Sequence, residues 1–115
     1  MATASANEIF GTIMGAAEDA FKEGWAAVKT YAPAEFRKMS VQLVEIAKNV
    51  ALYQADNTKG YSAKTGKLLF KMQRTACESV LVAVTQLTMI AVQKALNAIM
   101  KALKDVFKGV IGAVL

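Results

Sequence analysis

Histidine is absent from this chain of 115 residues. That removes at once the commonest general base and the commonest transition-metal ligand. The Glu-x-x-His pairs of carboxylate-bridged di-metal bundles cannot be written with these residues. Cysteine occurs once, at Cys77, so no disulfide can close within the chain. With no imidazole to take its proton the thiol lacks the usual activation of a nucleophile, and at the edge of an apolar run it reads as a small buried hydrophobe. Glu18, Asp19 and Glu23 gather on one helix face, but no second carboxylate set completes a site. The expectation is a protein that is not an enzyme, with no cofactor and no metal.

Proline is as scarce, with Pro33 alone, and low-complexity sequence is short, which argues against disorder. The opening MATASANEIF has neither a basic region nor a long apolar run. No cleavable signal peptide is expected there, and the expected location is the cytoplasm or an assembled particle, with membrane association as the alternative.

What the chain does have is apolar residues, 55% of the total, above the usual 45–50%. Their spacing is helical. Ser5-x-x-Glu8 fits a capping box, and Ile9, Ile13, Ala16, Ala17, Ala20, Phe21, Gly24, Trp25, Val28 and Tyr31 then form one stripe. The small residues Gly11, Gly15 and Ala16 leave room for a close neighbour, and Trp25 reads as a core anchor. Pro33 ends this helix and suits the first turn of the next. Phe36, Met39, Leu43, Ile46, Val50 and Tyr53 follow at alternating spacings of three and four. This is a coiled-coil-like seam of under three heptads, which points to bundle packing.

The region 56–65 is a connector rich in turn residues. From Leu68 to Leu115 there is no proline, and the glycines are Gly109 and Gly112 alone. The sequence therefore predicts helices over 5–31, 34–55 and 66–110 in a single domain: an all-α antiparallel bundle of two shorter helices and one long C-terminal helix. If the last element bends, there are four. At 1.5 Å per residue the three helices would run about 40, 33 and 67 Å. The two shorter ones cannot cover the third, so another chain is the expected cover and the protein is expected to be oligomeric.

That last element also carries the strongest apolar signal. Ser79 to Gln93 contains no charge, but a membrane span needs about 20 predominantly apolar residues. Beyond it, Lys94, Asn97, Lys101, Lys104, Asp105 and Lys108 fall within roughly 100° of arc. Leu96, Ile99, Leu103, Val106, Phe107 and Val110 fill much of the rest and are the candidate interface. Burying such side chains contributes about 1.5–3 kcal/mol each, enough to drive association despite its entropic cost.

Charge divides the chain. Residues 1–56 hold five basic and seven acidic residues, and residues 57–115 hold nine and two. Lys59, Lys64, Lys67, Lys71 and Arg74 meet no acid until Glu78. With Tyr61 they are the candidate contacts for phosphates, nucleic acid or another anion. The segment Gly60–Lys67 is no phosphate-binding loop, having five residues between its glycines where four are required and Leu68 in place of the magnesium-binding hydroxyl.

These observations lead to a non-enzymatic structural protein that works by self-assembly, a small helical subunit of a virion, filament or similar homo-oligomeric complex. The first alternative is an amphipathic protein that binds an anionic membrane or lipid surface through 94–115. The second is a nucleic-acid-binding module that uses 59–74.

Overall fold

A computed structural model describes residues 5–115. Positions 1–4, part of the stretch read as carrying no signal peptide, lie outside the described residues. The helices are α1 (Ala6–Phe21), α2 (Trp25–Val28), α3 (Ala32–Ala55), α4 (Ala63–Thr85), α5 (Met89–Val106) and α6 (Gly109–Val114), and no strand occurs among the described residues. The whole measures 46 × 22 × 19 Å, too short to hold the 67 Å helix.

The first helix starts where its sequence says. Ser5 Oγ accepts from the Glu8 amide at 3.1 Å, and Glu8 Oε1 accepts from the Ser5 amide at 3.3 Å, which satisfies two of the amides a helix start leaves without partners. It does not continue to Tyr31. The backbone turns left-handed at Lys22 (φ 54°), passes through a 3₁₀ turn over Lys22–Gly24, and resumes as the short α2. Tyr31 is consequently exposed, while Ile9, Ile13, Ala17, Phe21 and Val28 stay buried and Trp25 packs half-buried on the core. Gly11 and Gly15 have nothing within 4 Å of where a side chain would begin, so the predicted close neighbour is not there.

Pro33 lies in the first turn of α3, where its missing N–H removes no helical bond. The seam holds for five of its six positions: Phe36, Met39, Leu43, Ile46 and Val50 are all fully buried. Tyr53, in the last turn of α3, is exposed. Arg37 ties α3 to α1, donating to Asn7 Oδ1 at 2.6 Å and lying 4.0 Å over the Phe10 ring.

The connector is shorter than expected. Asp56 accepts from the amide and hydroxyl of Thr58, bonds that hold its carboxyl below the usual range, and Ser62 caps α4 by accepting from the Thr65 amide at 3.3 Å. Gly60 has φ 61°, and a Cβ there would fall 2.0 Å from the Asn49 carbonyl oxygen. Only glycine fits that turn.

The largest departure lies at Gln86–Thr88. The chain reverses within the charge-free run, so the expected continuous helix over 66–110 becomes α4 and α5. Gln86 takes the left-handed C-cap conformation (φ 63°). Thr85 Oγ1 donates to the Leu81 carbonyl and accepts from the Leu87 amide, and Thr88 Oγ1 accepts from the Ala91 amide at 3.1 Å. Two threonines and a glutamine thus do the work of a glycine and an aspartate. A second break at Phe107–Lys108 turns α6 back, with Gly109 at φ 67°.

The reversals close the core. α1 packs on α3 and α5, α4 on α3 and α5, and α6 across α3 and α4. Gly66 lets α6 and α3 approach α4, since a Cβ there would meet Ile46 Cγ2 at 2.8 Å and Val50 and Val114 at 3.0 Å.

Candidate functional site

Two of the candidate surfaces read from the sequence fare differently. Leu96, Ile99 and Leu103 were expected to wait for another chain. They are fully buried inside this one, because α5 folds back and lays its apolar stripe on α1. Phe107 and Val110 are half-buried against the same core, and Val106 alone of the six stands in solvent.

The basic set is partly gathered. Lys67, Lys71 and Arg74 line a cleft of about 370 Å³ between α4 and α5, closed at one end by Val114. Lys64 stands one turn before Lys67 on the same side of α4, the three lysines falling within about 60° of arc. Lys59 lies in the connector beside Asp56 at 4.0 Å, and Tyr61 is half-buried, its amide donating to the Asn49 carbonyl. Neither lines the cleft.

The wall of the cleft is a hydrogen-bonded bridge. Arg74 Nε lies 3.4 Å from Glu78 Oε1, the Arg74 guanidinium donates to Asn97 Oδ1, and Gln93 Nε2 donates to Glu78 Oε2 at 3.5 Å. Glu78 is buried, and a carboxylate removed from water is tolerable when paired and hydrogen-bonded in this way. Beside it, Cys77 is buried, and desolvation first, then Glu35 and Glu78, push its thiol up to about 12. At neutral pH it is an inert thiol.

Those contacts also fix the register of the antiparallel pair. Glu78 faces Gln93, and one turn on, Arg74 faces Asn97. Continuing in steps of three and four, that register brings Lys71 and Lys67 to the levels of Lys101 and Lys104. Sequence reasoning placed the first two in one candidate site and the second two in another; the hairpin runs the two helices side by side, though Lys101 and Lys104 do not line the cleft. The four ion pairs among the described residues use none of these four lysines. Leu68 and Met72, 59% and 68% exposed, lie on α4 about 100° and 140° round from Lys67, outside the cleft.

No group of residues that could hold a metal ion occurs among the described residues, and among them no helix is long and apolar enough to cross a membrane. No family model, curated protein or solved structure matches the chain.

Proposed function

We propose that this chain is a non-enzymatic helical protein that binds an anionic lipid surface through the outer face of α4 and α5. The observation that carries this reading is the company the lysines keep. Lys64, Lys67 and Lys71 run along one side of α4, and Leu68 and Met72, two large apolar side chains left mostly in water, follow on the adjoining side of the same helix. Lysines near an anionic leaflet contribute about 1 kcal/mol each, and exposed aliphatic side chains can enter the boundary between headgroups and acyl chains. A nucleic acid would use the lysines but offers leucine and methionine no acyl layer, and no exposed aromatic stands among them for base stacking.

The test is flotation with vesicles of phosphatidylglycerol and phosphatidylcholine. The protein should float with the mixture and not with phosphatidylcholine alone, and Lys67→Glu with Lys71→Glu should abolish flotation. Leu68→Ser with Met72→Ser should weaken it. Salt-dependent binding to duplex DNA, with no flotation at low salt, would overturn the reading in favour of nucleic acid.

A second reading, the subunit of a homo-oligomer, is supported by a different face. Val41 and Leu52 are about half exposed on α3, three turns apart on one stripe that also carries the exposed Glu45–Lys48 ion pair. Mass by light scattering distinguishes it: an assembly in plain buffer that Val41→Asp with Leu52→Asp dissolves is the outcome this reading requires.

A further inference from the structure

We infer that the α4–α5 cleft takes the headgroup of a single anionic amphiphile, a phosphate- or carboxylate-headed lipid, and seats the start of its acyl chain on the apolar floor. The inference rests on the reading of this face as a lipid surface and names what it would hold there. The cleft's volume of about 370 Å³ lies within the range of small-ligand sites, about 300–1,000 Å³.

Its walls differ in kind. Lys67 and Lys71 stand exposed at the rim, and neither joins an ion pair among the described residues. Arg74 is held in place by Glu78 and Asn97; a guanidinium has five N–H donors, so that clamp leaves others for an incoming oxyanion. The floor is Phe70, Met100 and Val114, all of them buried in the core with one edge at the cleft. Inorganic phosphate would satisfy the rim and leave this floor against water. A neutral apolar ligand would cover the floor and leave the cations unanswered. A charged head joined to a short hydrocarbon answers both. Glu78, the one acidic side chain of the lining, is already occupied by Arg74 and Gln93, which spares the anion its repulsion in part.

The experiment titrates the full chain with dihexanoyl phosphatidic acid below its micelle threshold, followed by amide chemical shifts and calorimetry. Dihexanoyl phosphatidylcholine and inorganic phosphate are the controls. Saturable binding of one lipid per chain is expected, about tenfold or more tighter than either control, a difference of about 1.4 kcal/mol or more. Lys67→Gln with Lys71→Gln should weaken it by a similar factor, and Asn97→Trp, which fills the cleft from its exposed rim, should block it. Circular dichroism checks that each variant folds, and the exposed lysine pair keeps the test valid should Asn97→Trp misfold. Equal affinity for inorganic phosphate, several lipids per chain, or no effect of either variant would overturn the inference. If vesicles float the protein but the monomeric lipid does not bind, the cleft fails and the surface reading stands. One-to-one binding without flotation upholds the cleft and defeats the surface reading.

Discussion

Leu87, in the turn between α4 and α5, lies against Gly24, in the kink between α1 and α2: a Cβ on Gly24 would come within 3.2 Å of Leu87 Cδ1. The two interruptions of the helical pattern therefore meet in space. Each is an irregular stretch whose neighbour is the other, and Leu87 is half-buried there against the core.

The turn at Gln86–Thr88 makes a prediction whose sign separates it from a continuous helix. Gln86→Gly should stabilise by about 0.5–1 kcal/mol, because glycine adopts a left-handed C-cap without the Cβ penalty. Thr88→Ala should destabilise by about 1 kcal/mol through loss of its cap. In an unbroken helix both signs would reverse. Thermal melts of the two variants decide the matter.

Glycine substitutions should split by position. Gly66→Val should cost about 1–3 kcal/mol, as overpacking does, because Ile46, Val50 and Val114 occupy its space. Gly11→Ala and Gly15→Ala meet nothing within 4 Å and should each stabilise by about 0.5–1 kcal/mol through helix propensity. Urea midpoints at constant slope are the measurement.

Leu43 is fully buried at the centre of the α3 seam. Leu43→Ala should cost about 2–5 kcal/mol. A loss below about 1 kcal/mol in a denaturant melt would remove this position from the core.

Cys77 sets a pH dependence. Burial, aided by Glu35 and Glu78, raises its thiol from 9.0 to about 12, so the folded state holds that proton more tightly than the unfolded state. The stability this contributes is fully present below pH 9 and is lost as pH rises from about 9 toward 12. Denaturant melts of Cys77→Ala against the parent chain should show the parent losing more stability over that window. At pH 7 the native thiol should react with a disulfide reagent only at the rate of unfolding. Rapid labelling of the folded protein would contradict its burial.

The helical class, the seam from Phe36 to Val50 and the capping box at Ser5 were legible because each is local. Periodicity and capping act within a few residues, and those positions are buried or bonded as their spacing requires. The basic candidates were legible as residues but not as a site. Lys67 and Lys71 are separated from Asn97, Met100 and Val114 by more than a helix of sequence, and only the reversals of the chain bring them to one cleft.

What the sequence by itself determined is which faces are apolar and which carry charge. The tertiary structure decided what covers them. No strong breaker marks Gln86–Thr88, and local propensity permits the helix to run on. The reversal wins because it lays Leu96, Ile99 and Leu103 on α1, and burying three such side chains, at about 1.5–3 kcal/mol each, outweighs a left-handed residue that costs about 1–2 kcal/mol. Burial across the fold is a sum over distant residues, and no window along the chain contains it.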